Sequence, residues 1–159
     1  MSLTIRVQSF STAFQCHYCM HLRRERRLFS AITNKTKIQE LIIDKSYFQL
    51  IKNIQKTVEG RIYKNHYTNI NPGDVIKFKD SKNFQNTIFC QVKSKALYGS
   101  FREMLEKEGL EHCLPGVRSL DEGVKVYHSF PDYEEESRKY QVVAFKIFYL
   151  SNITFGDEL

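Results

Sequence analysis

The sequence predicts an α+β domain in which short strands form a mixed, barrel-like sheet and helices pack against its sides. Short apolar or alternating runs are separated by turn residues, at the spacing that small β-barrels show. Two later segments begin with residues that cap helices, and a glycine ends the first of them. The hydrophobic fraction of 42% and the charged fraction of 26% are those of an ordinary globular domain.

Five segments have the composition of strands. Residues 71–74 (Asn-Pro-Gly-Asp) give the strongest turn signal between them, and the polar residues 80–85 give another. The last segment is the longest and is rich in β-branched and aromatic residues, so we expect it in the centre of the sheet. The predicted strands are residues 38–43, 57–63, 75–78, 87–93 and 140–150.

Three helices are expected beside these strands. Asp44 or Ser46 can cap the first, in which apolar side chains recur at helical spacing. Ser100 and Ser119 each stand three residues before a glutamate, which is the capping-box pattern, and Gly109 can end the helix that follows Ser100. The predicted helices are residues 46–55, 101–108 and 119–127.

Positive charge is concentrated in two parts of the chain. The formal net charge is +6, and residues 1–43 alone contribute seven basic and two acidic side chains. Residues 45–97 carry ten basic and three acidic side chains, whereas residues 100–136 carry four and ten. A concentrated positive face would attract phosphates and polyanions. The alternative is that these blocks of sequence do not form surface patches.

The first 36 residues are interpreted as a basic, poorly ordered N-terminal extension, and residues 37–159 as the folded domain. The extension contains four arginines within residues 23–27 and several serines, and Glu25 is its single acidic residue. Such a composition is typical of organelle transit segments, of basic arms that grip nucleic acid and of neutral extensions, and all three remain open.

The four cysteines are interpreted as reduced thiols of an intracellular protein, because the N-terminus lacks the apolar stretch of a secretory signal. Cys16 and Cys19 form a Cys-x-x-Cys pair close to His21, but a structural zinc site needs four ligands. Cys90 and Cys113 are too far apart in sequence to supply a second such pair. We therefore expect no metal and no other cofactor.

Four motifs, taken in order, resemble those of the ASCH domain. They are residues 56–61 (Lys-Thr-Val-Glu-Gly-Arg), 71–78, 98–105 (Tyr-Gly-Ser-Phe-Arg-Glu-Met-Leu) and 114–116 (Leu-Pro-Gly). The resemblance covers about residues 38–150. It implies a PUA-like mixed β-barrel of about five to six strands with flanking helices, and a cleft beside the first helix and the strand that follows it. It also implies a role in binding RNA.

Such a cleft needs cations for phosphate, a flat ring for stacking and fixed polar groups for a base edge. Because successive strand residues alternate in direction, Glu59 and Arg61 share one face of the strand over residues 57–63. The alternative is that these two form an ion pair that only decorates the barrel. The candidate nucleic-acid-binding residues are Lys56, Glu59, Arg61, Tyr63, Lys64 and Tyr98.

An enzyme is the alternative function. Some small ASCH-like proteins are amidohydrolases acting on an acylated pyrimidine nucleoside, with a lysine, a threonine and a helical glutamate, and related proteins are described as ribonucleases. Lys56 matches the lysine, and Glu108 or Glu106 could be the helical acid. Glu59 occupies the position of the threonine, so a carboxylate suited to acid–base chemistry replaces a nucleophile. The candidate catalytic residues are then Lys56, Glu59 and Glu108.

RNA or a nucleotide is thus the expected partner of a protein that we predict to be a monomer. A purely structural interaction role is the third alternative. No apolar run in the sequence reaches the roughly 18 residues that a membrane span needs, so no membrane association is expected. The expected location is cytoplasmic or nuclear, with organelle import through the N-terminal segment as an alternative.

Overall fold

A computed structural model of the protein describes residues 36–151, which form one mixed sheet flanked by short helices. The strands are β1 (Ile38–Ile43), β2 (Val58–Ile62), β3 (Val75–Asp80), β4 (Asn83–Tyr98) and β5 (Val142–Tyr149). The helices are α1 (Lys45–Lys52), α2 (Phe101–Glu108), α3 (Leu110–Cys113), α4 (Leu120–His128) and α5 (Tyr133–Glu136), and Asn65–Asn69 forms a 3-10 helix.

The sheet has five strands in the order β1-β3-β4-β5-β2 and is curled into a half-barrel. Only the β1–β3 pair is parallel, and the other three pairs are antiparallel. The two edge strands, β1 and β2, approach each other across the open side, where the Arg61 guanidinium donates to the Ile42 carbonyl at 3.3 Å. The predicted mixed barrel with five to six strands is therefore confirmed, with five strands and one open seam.

The long strand β4 joins the two halves of this curl. Its first half pairs with β3 and its second half pairs with β5. The register against β5 shifts between Val92 and Ser94, which marks a bulge. Because a bulge bends a strand and increases its twist, this position helps to curl the sheet.

Strand β5 separates two hydrophobic cores. Val143, Phe145 and Ile147 belong to the core that also contains residues of α1, β1, β3 and β4. Val142 and Ala144 belong to the core formed with β2, α2, α3 and α4. Both faces of the strand are therefore buried. It is an internal strand, as predicted, but it lies between β4 and the edge strand β2, and β4 is the middle strand.

The helix starts follow the predicted caps. Asp44 rather than Ser46 caps α1, since its carboxylate accepts the Ser46 amide at 2.8 Å. The Ser100 hydroxyl accepts a hydrogen bond from the Glu103 amide at 3.1 Å, and the Ser119 hydroxyl accepts one from the Glu122 amide at 3.2 Å, as predicted. The two glutamates return their bonds to the amides of Gly99 and Arg118, one residue before the position that a capping box requires.

Three predictions concern residues outside the described range. The basic N-terminal extension, the Cys16–Cys19 pair and the domain boundary near residue 37 fall wholly or partly among residues 1–35. Within residues 36–151, no helix is long and apolar enough to cross a membrane.

Candidate functional site

A cavity of about 170 Å³ lies at the open seam of the half-barrel. β1 and the start of α1 form one side of it, and β2 forms the other. The segment from Tyr127 to Tyr133 and Leu114, which follows α3, complete the lining. The lining residues are Ile42, Ile43, Asp44, Tyr47, Lys56, Glu59, Gly60, Arg61, Leu114, Tyr127, Phe130 and Tyr133.

Lys56 is buried at the base of this cavity, with 3% of its surface exposed. Its ammonium donates to the Val58 carbonyl at 2.7 Å and to the Cys113 carbonyl at 2.5 Å. It also lies 3.2 Å from the Glu59 carboxylate. The Cys113 carbonyl is the last of α3, so the ammonium satisfies a helix end that has no partner within the helix. These three contacts occupy the three N–H groups of a lysine.

Glu59 lies between two cations. One carboxylate oxygen accepts the Arg61 Nε–H at 2.7 Å, and the other faces Lys56. Burial raises the pKa of Glu59, but the charges and hydrogen bonds of Lys56 and Arg61 together lower it by more. The pKa of Glu59 therefore lies below its usual value. The carboxylate is therefore ionised at neutral pH, although the residue is buried and only 4% of its surface is exposed. Sequence reasoning placed Glu59 and Arg61 on one face of a strand, and the structure confirms it.

Arg61 fastens the two edge strands together. Besides its bonds to Glu59 and to the Ile42 carbonyl, its guanidinium lies near Tyr133 and 5.7 Å from the centre of the Tyr67 ring. Burial lowers the pKa of Arg61, but the Glu59 charge together with smaller contributions from Tyr133 and Tyr67 raises it by more, so the side chain is a permanent cation. A guanidinium in this position supplies a rigid set of donors at the mouth of the seam.

Four aromatic rings line the cavity: Tyr47, Tyr127, Phe130 and Tyr133. The Tyr127 ring stacks on the buried Phe101, with the centroids 4.2 Å apart and the planes 6° from parallel. Burial raises the pKa of Tyr127 well above its usual value. Its hydroxyl is buried and has no hydrogen-bond partner among residues 36–151.

The absence of a side chain at Gly60 allows β2 to pack closely against the helices. A Cβ at this position would lie 2.6 Å from Met104 Cε and 2.7 Å from the Tyr127 hydroxyl. Any larger residue must therefore displace the helical side of the cavity.

The structure brings together only part of the predicted site. Lys56, Glu59 and Arg61 line one cavity, whereas Tyr63 and Lys64 do not. The Tyr63 ring packs against the first core and lies 5.0 Å from the Lys95 ammonium. The Lys64 ammonium forms an ion pair with Glu136.

Tyr98, at the end of β4, and Glu108, the last residue of α2, form a separate cluster. The Tyr98 hydroxyl donates to Glu108 at 2.5 Å, and the second carboxylate oxygen of Glu108 lies 3.0 Å from the Lys146 ammonium. Burial and the bond to Glu108 raise the pKa of Tyr98 to about 12. Neither residue lines the cavity that contains Lys56.

Sequence reasoning missed the aromatic wall. None of its four residues, Tyr47, Tyr127, Phe130 and Tyr133, was a candidate binding residue from the sequence. The last three lie within seven residues of sequence, but they face β2 only because α4 packs onto α2. No local pattern carries that information.

No group of three or more potential metal ligands occurs among the residues that the structure describes. Cys90 and Cys113 are buried free thiols. Burial raises the pKa of both, to about 12 for Cys113, so neither is a reactive thiolate at neutral pH.

Comparison with known proteins adds two independent findings. The model of the ASCH domain matches residues 41–151. The solved structure of the hypothetical protein PH0355 is 45% identical, with a TM-score of 0.64 over 71% of this chain and 99% of its own. No curated protein sequence matches the chain significantly.

Two further structures agree with the fold. The solution structure of PF0455 from Pyrococcus furiosus is 46% identical, with a TM-score of 0.59 over 72% of this chain and 98% of its own. A mutant of ZmASCH from Zymomonas mobilis shares the fold at 15% identity, with a TM-score of 0.50 over 70% of this chain and 68% of its own. The curled sheet, its flanking helices and the family match together establish that the chain belongs to the ASCH domain family.

Proposed function

We propose that the protein binds RNA or a nucleotide through the cavity between β1 and β2. The observation that carries this proposal is the convergence of a buried Lys56–Glu59–Arg61 cluster with four aromatic rings in one cleft. Charged groups with shifted pKa values, held in a concave site, are typical of functional sites. Aromatic rings and a guanidinium are also the groups on which unstacked bases are held.

A binding assay with a fluorescent single-stranded RNA tests this proposal in the full chain. Arg61→Lys is the sharpest variant, because it keeps the positive charge beside Glu59 but removes the fork of donors. We expect it to weaken binding at least fivefold, the equivalent of about 1 kcal/mol. Lys79→Ala is the matched control, since it removes one cation on β3 that pairs with Glu40 outside the cavity.

Lys79→Ala removes a charge, whereas Arg61→Lys keeps one. A loss in Lys79→Ala as large as that in Arg61→Lys, or larger, would therefore contradict the proposal and indicate a general electrostatic attraction. Measurements at low and moderate salt separate the two cases. Neutralised phosphates release counterions, so a purely electrostatic complex weakens steeply with salt.

Hydrolysis at the same cavity is the second candidate, favoured by the buried contact between the Lys56 ammonium and the Glu59 carboxylate. Glu108, the third candidate catalytic residue, lies in the Tyr98 cluster instead. The RNA assay therefore includes an analysis of cleavage products, and acylated pyrimidine nucleosides are a second set of substrates. Turnover that is lost in Glu59→Gln and resists added salt would favour the enzyme.

A further inference from the structure

We propose that the cavity receives one uncharged aromatic ring, a nucleobase whose edge carries hydrogen-bond acceptors, and not a phosphate. This inference rests on the proposed function and specifies which part of the nucleotide enters the protein. Four observations on the lining support it.

The charged groups around the cavity cancel. Lys56 and Arg61 are its cations, and Asp44 and Glu59 are its carboxylates. Burying a phosphate without an excess of positive charge is unfavourable, because the anion loses its hydration without gaining compensation. A neutral ring carries no such penalty.

Lys56 has no donor left for an anion. Its three N–H groups face the Val58 carbonyl, the Cys113 carbonyl and Glu59 at 2.7, 2.5 and 3.2 Å. A phosphate at Lys56 would have to displace one of these buried acceptors. The lysine therefore holds Glu59 and the end of α3 in place.

The size and walls of the cavity suit a ring. An engineered apolar cavity of about 150 Å³ is large enough to hold benzene. The cavity here, about 170 Å³, is slightly larger and is lined by Tyr47, Tyr127, Phe130 and Tyr133. Flipped bases are held in this way, between aromatic side chains and with polar contacts along one edge.

The group left to contact such an edge is a donor. The bonds of Arg61 to Glu59 and to the Ile42 carbonyl use two of its five N–H groups. Its side chain is partly exposed in the lining. A ring with carbonyl or ring-nitrogen acceptors along one edge would accept hydrogen bonds from the remaining N–H groups.

Calorimetric titration of the full chain tests this inference with probes that separate base from phosphate. The probes are uridine, cytidine, adenosine and guanosine on one side, and ribose 5-phosphate and inorganic phosphate on the other. We expect at least one nucleoside to bind, and neither phosphate probe to bind or compete.

Phe130→Ala is the decisive variant, because it removes one partly exposed ring of the lining. It should weaken the nucleoside at least fivefold, since the base loses an aromatic side chain on which to stack. Phe84→Ala is the matched control, because it removes an exposed ring on β4 outside the lining and should leave binding unchanged. The melting temperature of both variants should change little, because both rings are exposed.

The remaining outcomes separate this inference from the proposed function. Binding of ribose 5-phosphate in competition with a nucleotide, or nucleoside binding that is unaffected in Phe130→Ala, would overturn the base pocket and leave RNA binding intact. RNA binding that depends on Arg61, in a protein that binds no nucleoside, would likewise overturn the base pocket and leave RNA binding intact. If neither RNA nor any nucleoside binds, the base pocket and the proposed function both fail.

Discussion

The Glu59 carboxylate is kept ionised inside the protein by Lys56 and Arg61. A carboxyl whose pKa is lowered by folding stabilises the folded state at any pH above its unfolded value, and that contribution is lost as the pH falls through the folded value. The stability difference between the wild type and Glu59→Gln should therefore be largest at neutral pH. It should shrink below about pH 4.3, the usual glutamate pKa.

Thermal unfolding of both proteins from about pH 7 to about pH 3 measures this difference. Glu40→Gln is the control, because Glu40 pairs with Lys77 and Lys79 while half of its side chain is exposed. Exposed pairs contribute little, so this variant should track the wild type closely. A Glu59→Gln difference that grows in acid would show that the carboxylate is not held ionised.

Lys56 illustrates the asymmetry between breaking a buried ion pair and replacing it. Lys56→Met should lower the free energy of unfolding by about 3–5 kcal/mol, because Glu59 loses a cation and two buried carbonyls lose a donor. The double variant Lys56→Met/Glu59→Gln should be more stable than Lys56→Met, since the stranded charge is gone. Urea unfolding compares them, and a double variant that is less stable than the single one would contradict this account.

For individual site residues, the sequence predicted correctly where the residues are close together in the chain and failed where they come from distant segments. Lys56, Glu59 and Arg61 are close in sequence, so strand alternation placed Glu59 and Arg61 on one face. Tyr63 follows the end of β2, where alternation no longer applies, and Tyr98 is drawn to Glu108. The aromatic wall depends on contacts between distant segments, which no local pattern specifies.

Strand β2 depends on a glycine for its packing. Gly60→Ala should lower the free energy of unfolding by about 1–3 kcal/mol, the usual cost of overpacking a core, and narrow the cavity. Gly99→Ala is the matched control, because its Cβ would meet only the flexible end of Glu103 at 3.3 Å. Equal stability of the two variants in urea unfolding would show that β2 and α2 have room to separate.

Most elements were predictable because each carries its own local signal. The turn at residues 71–74, the serine caps and the apolar run of β5 were all read correctly. The strand predicted over residues 87–93 is in fact Asn83–Tyr98. Polar residues lie on both sides of the predicted run and gain their strand conformation from pairing with β3 and β5. The short helices α3 and α5, of four residues each, have no periodicity to detect.

Across the whole molecule, the basic and acidic blocks of sequence fall on different elements. The basic block of residues 45–97 covers α1 and the strands β2 to β4, whereas the acidic block of residues 100–136 covers α2 to α5. Several of the lysines in the basic block already have partners in the protein. Lys77 and Lys79 form ion pairs with Glu40, and Lys95 donates a hydrogen bond to the Thr68 carbonyl. Charge alone would not have located the cavity.

The N-terminal segment is proposed to be dispensable for the fold. PH0355 and PF0455 are matched over 99% and 98% of their lengths by about seven-tenths of this chain, so the matched region forms a complete domain in those proteins. Removal of residues 1–34 should leave the melting temperature and nucleoside binding unchanged. It should weaken RNA binding mainly at low salt, because the lost arginines act through phosphates.

Circular dichroism melts and the RNA assay at two salt concentrations measure these effects. A truncated protein that no longer unfolds cooperatively would mean that the N-terminal segment is part of the domain. Loss of nucleoside binding in a folded truncated protein would place part of the site in that segment.

The central claim, that the ligand enters between β1 and β2, is tested most directly by NMR. Backbone amide spectra of the full chain would be recorded during titration with a short single-stranded RNA. We predict that the largest shifts fall on Asp44, Glu59, Gly60 and Arg61 and on the residues around Tyr127. Shifts confined to the β3–β4 hairpin or to residues 1–34, with the cavity amides unchanged, would contradict the account.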